Sequence, residues 1–150
     1  MSRLERFVES TQREILEQAR GRYSETVLDH WMHPRGTGTI KAPDGHAGFT
    51  GPCGDRMEIA LRVVDDVVTA ACFLTDGCAT TIAAASMAVE LVEGRTVREA
   101  ADIDQELILA RLGGLPEENQ HCAFLAEYTL RAALADYLRR ERSGGPISSR

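Results

Sequence analysis

Residues 56–75 read Arg56-Met57-Glu58-Ile59-Ala60-Leu61-Arg62-Val63-Val64-Asp65-Asp66-Val67-Val68-Thr69-Ala70-Ala71-Cys72-Phe73-Leu74-Thr75. Met57, Ile59, Leu61 and Val63 fall on one side of an alternating pattern, with Glu58 and Arg62 on the other. That period of two is the signature of a strand with one buried face. Asp65-Asp66 supplies a tight turn, so Val67 to Thr75 reads as the antiparallel partner, ended by Asp76-Gly77. Directly afterwards the period changes. From about Ala79 to Glu93, Ile82, Ala85, Ser86, Val89 and Val92 recur at helical spacing, and Gly94 stands in the usual stop position.

Outward from this core the chain is mostly helical. Downstream, Thr96 with Glu99 forms a capping box for a short helix. Asp104 can cap another, which Gly113-Gly114 terminates, and a long final helix runs from about Glu118 to Arg142. Upstream, residues 35–54 hold eight glycines and prolines, a long loop with a short strand expected near Gly38–Lys41. Ser24 caps a helix to about Met32, stopped by Pro34. Leu4, Phe7, Val8, Ile15, Leu16 and Ala19 place an amphipathic helix over residues 3–20, punctuated by Gly21. Strands early and helices late indicate an α+β domain, with helices on one face of a small antiparallel sheet. The expected organisation is an N-terminal helical extension (1–21), a single domain (22–142) and a disordered tail (143–150).

Composition excludes several functions. The formal net charge is −6 and no stretch interleaves Lys or Arg with aromatics, so a nucleic-acid partner is set aside. The most apolar stretch, Ile82 to Val89, is far too short to span a bilayer, and no membrane partner is expected. The first twenty residues carry eight charges, so no apolar signal core can form there. The expected location is the cytoplasm, where thiols stay reduced.

Four cysteines in 150 residues are too sparse for a disulfide scaffold, which turns attention to metal binding or catalysis. Cys53 lies between Pro52 and Gly54 in a turn that could approach a metal closely, and Asp55 could aim a carboxylate at the same centre. Cys78 immediately precedes a helix, where the dipole favours the thiolate. Cys122 follows His121 in the first turn of the last helix, and the same argument applies. Cys72 sits mid-strand and reads as core. Soft thiolates select zinc, copper(I) or iron–sulfur chemistry over magnesium or calcium. Spacing alone leaves open three unrelated reduced cysteines, since no C-x-x-C pair occurs, and a histidine beside a cysteine is as readily a capping residue as a ligand.

Gly51-Pro52-Cys53-Gly54-Asp55, Asp76-Gly77-Cys78 and His121-Cys122-Ala123-Phe124-Leu125-Ala126-Glu127 resemble the three ligand segments of the NifU/IscU scaffold family. Tyr23-Ser24-Glu25 through Leu28-Asp29-His30, with His33-Pro34-Arg35, resembles its N-terminal helix and following turn. Ala132-Ala133-Leu134-Ala135-Asp136-Tyr137 resembles the end of its last helix. The resemblance implies a three-stranded antiparallel sheet and a non-enzymatic scaffold role. On that role, Cys53, Cys78 and Cys122 hold a nascent [2Fe–2S] cluster, with Asp55 and His121 as further candidate ligands. It also implies sulfur from a cysteine desulfurase, transfer to acceptor apoproteins, and zinc in the site of purified protein.

Two departures stand out. Leu115-Pro116-Glu117-Glu118-Asn119 occupies the place of the Leu-Pro-Pro-Val-Lys that a dedicated chaperone recognises in bacterial housekeeping members. Ala79-Thr80-Thr81-Ile82 follows the second cysteine, where relatives often show Gly-Ser-Ala or Ser-Ile-Ser. The competing reading is a zinc-bound sulfur-transfer protein that accepts persulfide from a desulfurase. Such relatives typically carry lysine in place of His121 and an insertion before the third cysteine segment, and this chain has neither. A purely structural zinc site would make the fold depend on metal. No H-x-E or H-E-x-x-H pattern supplies a zinc hydrolase or deaminase with its base.

Overall fold

The computed structural model describes residues 2–144. Two helices, α1 (Arg3–Arg20) and α2 (Glu25–Met32), precede the strands β1 (Gly45–Thr50), β2 (Arg56–Val64) and β3 (Val67–Thr75). Four helices follow: α3 (Ala79–Val92), α4 (Val97–Ala100), α5 (Gln105–Leu112) and the long α6 (His121–Gly144), with a 3-10 turn at Glu117–Asn119. Ser143 and Gly144 complete α6, and residues 145–150 of the expected disordered tail lie outside the described residues.

The three strands form one antiparallel sheet in the order β1-β2-β3. Asp65 and Asp66 make the β2–β3 turn with both residues at positive φ, a hairpin geometry that short polar side chains tolerate. A register shift between Arg62 and Val63 moves the buried positions of β3 out of simple alternation, to Val68, Ala71 and Phe73. These residues, with Met57, Ile59, Leu61 and Val63, bury against α3 and α6. Ala83, Ala84, Ala85 and Ala88 keep α3 slim enough to lie almost wholly inside the core. Each expected cap is present. Ser24 accepts from Val27, Thr96 and Glu99 form the capping box, Asp104 accepts from Leu107, and Gly113 closes α5 at positive φ.

Two expectations need correction. The first strand is Gly45–Thr50, not residues 38–41, which hold no strand and follow an isolated bridge from Thr37 to Phe73. Gly45 hides the strand: a Cβ there would stand 2.5 Å from the Ala133 carbonyl oxygen and 3.0 Å from Tyr137 Cβ. The glycine is the contact through which β1 meets α6, and it breaks the pattern a strand would show in sequence. Cys72, expected in the core, is half-buried on the sheet face turned away from the helices. There it lines a cavity of about 310 Å³ with Ile40, Glu58, Ala60, Leu74 and Arg140.

α1 stands apart energetically. None of its residues is buried; Leu4, Phe7 and Ile15 are at least half exposed, and its half-buried Leu16 faces Leu28 and Met32 of α2.

Candidate metal centre

Three segments meet at one end of the sheet. The first is the β1–β2 turn, closed by Gly51 N donating to Asp55 O at 2.8 Å and Gly54 N to Gly51 O at 3.0 Å. Gly54 adopts φ +91, which a side chain would resist. Cys53 is exposed on this turn. The second is the start of α3, where Cys78 is the N-cap residue in extended conformation and its carbonyl accepts from Ile82. The third is the first turn of α6, which carries His121 and Cys122.

Two threonines join these segments. Thr80 Oγ1 lies 3.2 Å from Cys78 Sγ and 3.4 Å from Cys122 Sγ. Thr81 Oγ1 lies 3.4 Å from Cys122 Sγ and 3.7 Å from Cys78 Sγ, and it donates to Asp55 Oδ2 at 2.7 Å. His121 Nε2 lies 3.8 Å from Cys122 Sγ. Cys78, Cys122, Asp55 and His121 therefore share one neighbourhood. Cys53 stands exposed on the turn that also carries Asp55. Among the described residues no three of His, Cys, Asp or Glu are already drawn in to ion-binding geometry.

The two thiols beside Thr80 and Thr81 differ in acidity. Burial pushes the Cys78 thiol up, but the hydroxyls and backbone amides of Thr80 and Thr81 outweigh it and hold the pKa below the ordinary thiol value. A thiolate-favouring Cys78 was expected from its place before a helix. Cys122 goes the other way. Its burial dominates, the Thr80 and Thr81 hydroxyls oppose it only in part, and the charges of Cys78 and Cys53 add to the rise. The sequence expectation of a dipole-lowered Cys122 is corrected accordingly: a thiol with 0% exposure is governed by desolvation.

Thr80 and Thr81 are the residues that sequence reasoning passed over as a mere departure. The available signal was two adjacent hydroxyls in the otherwise apolar helix start after Cys78.

Comparison with known proteins places the chain. The NifU-like N terminal domain matches residues 22–143. The iron-sulfur cluster assembly scaffold protein IscU 1 of Archaeoglobus fulgidus is 42% identical over 119 residues, covering 79% of this chain and 78% of that protein. IscU of Haemophilus influenzae is 39% identical over 121 residues, covering 77% of this chain and 94% of that protein. Among solved structures, a candidate SUF-system iron–sulfur scaffold from Fervidobacterium islandicum AW-1 shares the fold, with TM-score 0.62, 22% identity, and coverage of 75% of this chain and 96% of that one. The domain match and the scale of identity agree: this chain belongs to the NifU-like N-terminal domain family.

Proposed function

We propose that this protein is an iron–sulfur cluster assembly scaffold. It assembles a [2Fe–2S] cluster as cargo on Cys53, Cys78 and Cys122 and passes it to acceptor apoproteins. The observation that carries this reading is the hydroxyl-bridged set of Cys78, Cys122 and Asp55 beside an exposed Cys53, in a member of a family whose curated relatives bear scaffold names.

The chemistry suits cargo better than a resident ion. Three thiolates supply soft ligands for iron, and Asp55 or His121 completes the set with a harder oxygen or an imidazole. Four thiolates would hold the cluster more firmly, so one weak corner favours release. Cys53 and Cys78 are exposed, which gives iron, a sulfur donor and an acceptor access to the site. A structural zinc site, by contrast, is closed by its ligands. Sulfur comes from a cysteine desulfurase, and zinc occupies the same donors in purified protein. Among the described residues no helix is long and apolar enough to cross a membrane. A reducing cytoplasm keeps the thiols free, and we place the protein there with residues 22–142 as the scaffold domain and 1–21 as an extension.

Anaerobic reconstitution tests the reading. The reduced protein is given ferrous iron, a desulfurase, cysteine and a thiol reductant, then mixed with an apo-ferredoxin. Visible charge-transfer bands followed by activation of the acceptor are expected. A colourless protein that keeps stoichiometric zinc would contradict the proposal and point to zinc-bound sulfur transfer.

A further inference from the structure

Thr80 and Thr81 place two hydroxyls where solvent barely reaches, with 1% and 0% exposure. Threonine inside a helix commonly bonds back to the carbonyl four residues earlier, as Thr129 does to Leu125 at 2.8 Å. Thr81 is turned instead toward three groups from three segments: Asp55 Oδ2 at 2.7 Å, Cys122 Sγ at 3.4 Å and Cys78 Sγ at 3.7 Å. A hydroxyl has one proton, and a carboxylate can only accept. The 2.7 Å contact makes Asp55 the principal acceptor, and the two sulfurs stand at longer distances around the same oxygen. One atom thus sits among three candidate ligands. Gly77 makes room for this arrangement, since a Cβ there would stand 2.6 Å from Thr81 Cβ and 2.8 Å from Asp55 Oδ2.

We propose that Thr81 is a positioning residue: by donating to Asp55 Oδ2 its hydroxyl keeps the carboxylate in register with the Cys78 and Cys122 thiols, and it keeps that bond when a metal ion enters. The inference rests on the reading of this site as the place where cargo binds. Metal–oxygen and metal–sulfur bonds are about 2.0–2.3 Å long, so the sulfurs must close in from hydroxyl distances by roughly 1 Å, while Thr81 holds one Asp55 oxygen and leaves the other free for the ion. A partner that orients a ligand in this way characteristically changes metal affinity by roughly 10–100-fold when it is lost. Thr81 would act through Asp55, which otherwise has water to turn to.

The test uses Zn²⁺ alone as the probe, titrated into the full reduced chain against a chromophoric chelator. Thr81→Val, isosteric but without the hydroxyl, should weaken zinc binding by roughly ten-fold or more. Thr81→Ser should stay close to wild type. In an Asp55→Ala background, Thr81→Val should cost far less than in the wild type, because the residue it orients is gone. Thermal melting separates these effects from unfolding, and if Thr81→Val melts early, Thr81→Ala must show the same affinity loss. Equal zinc binding in wild type and Thr81→Val would overturn the inference, as would full additivity with Asp55→Ala, while leaving the scaffold reading intact. A wild type that binds zinc independently of its cysteines would overturn both.

Discussion

Asp55 and Cys122 show how surroundings, rather than residue type, decide what a side chain does in this protein. Asp55 is a hard oxygen donor tied by Thr81 to a soft thiol neighbourhood. If it serves as the labile corner of the cluster, Asp55→Ala should lengthen the half-time of transfer to an acceptor several-fold while leaving cluster content similar. Stopped-flow transfer kinetics check this, and unchanged rates would remove Asp55 from that role. His30 carries a second residue-scale prediction. It is 2% exposed, with Nδ1 2.7 Å from Ser86 Oγ and Nε2 3.6 Å from a Glu90 carboxylate oxygen. Burial holds its pKa below the ordinary value, Arg35 adds to this, and Glu90 and Asp29 oppose it. The folded state thus favours the neutral ring. Its contribution is fully present above the unfolded-state value of about 6.5 and is lost as pH falls from there toward the folded pKa. Urea midpoints should decline from pH 7 to pH 5.5, and His30→Gln should flatten that slope.

At the scale of elements, the β2–β3 hairpin and the caps were legible because each is written locally. Alternation from Met57 to Val63, the Asp65-Asp66 turn, and capping residues at Ser24, Thr96 and Asp104 all act over a few neighbours. β1 was not legible. Gly45 is dictated by Ala133 and Tyr137 of α6, some ninety residues away, and no local pattern records that contact. Gly45→Ala should therefore destabilise the protein by about 2 kcal/mol, within the range for overpacking, and lower the melting temperature measurably. A neutral substitution would mean that α6 does not press on β1 as closely as described. The site divides along the same line. Cys53, Cys78, Cys122, Asp55 and His121 could be singled out from motif and position, yet the burial that reverses the acidity of Cys122 comes from packing. So does the convergence of Thr80 and Thr81 on the thiols.

On the scale of the whole molecule, the sheet and helices α3 and α6 form one hydrophobic unit, and α1 lies outside it. The domain match begins at residue 22, where α1 has already ended. With no buried side chain on α1, removing residues 1–21 should shift the melting temperature by only a few degrees and leave metal binding unchanged. Loss of folding on that deletion would show that α1 carries stability that its exposure does not reveal. The end of the molecule that carries Cys53, Cys78 and Cys122 is organised differently. Two of its thiols are open to solvent and one is buried.

The central claim is that the sulfurs of Cys53, Cys78 and Cys122 jointly hold an iron–sulfur cluster. Iron-edge X-ray absorption on the anaerobically reconstituted protein, compared with Cys53→Ser, Cys78→Ser and Cys122→Ser, tests it most directly. The account predicts an iron–iron distance characteristic of a [2Fe–2S] core with mixed sulfur and oxygen or nitrogen ligation, and loss of cluster in each variant. Cluster content and ligation unchanged by any one of the three substitutions would contradict it.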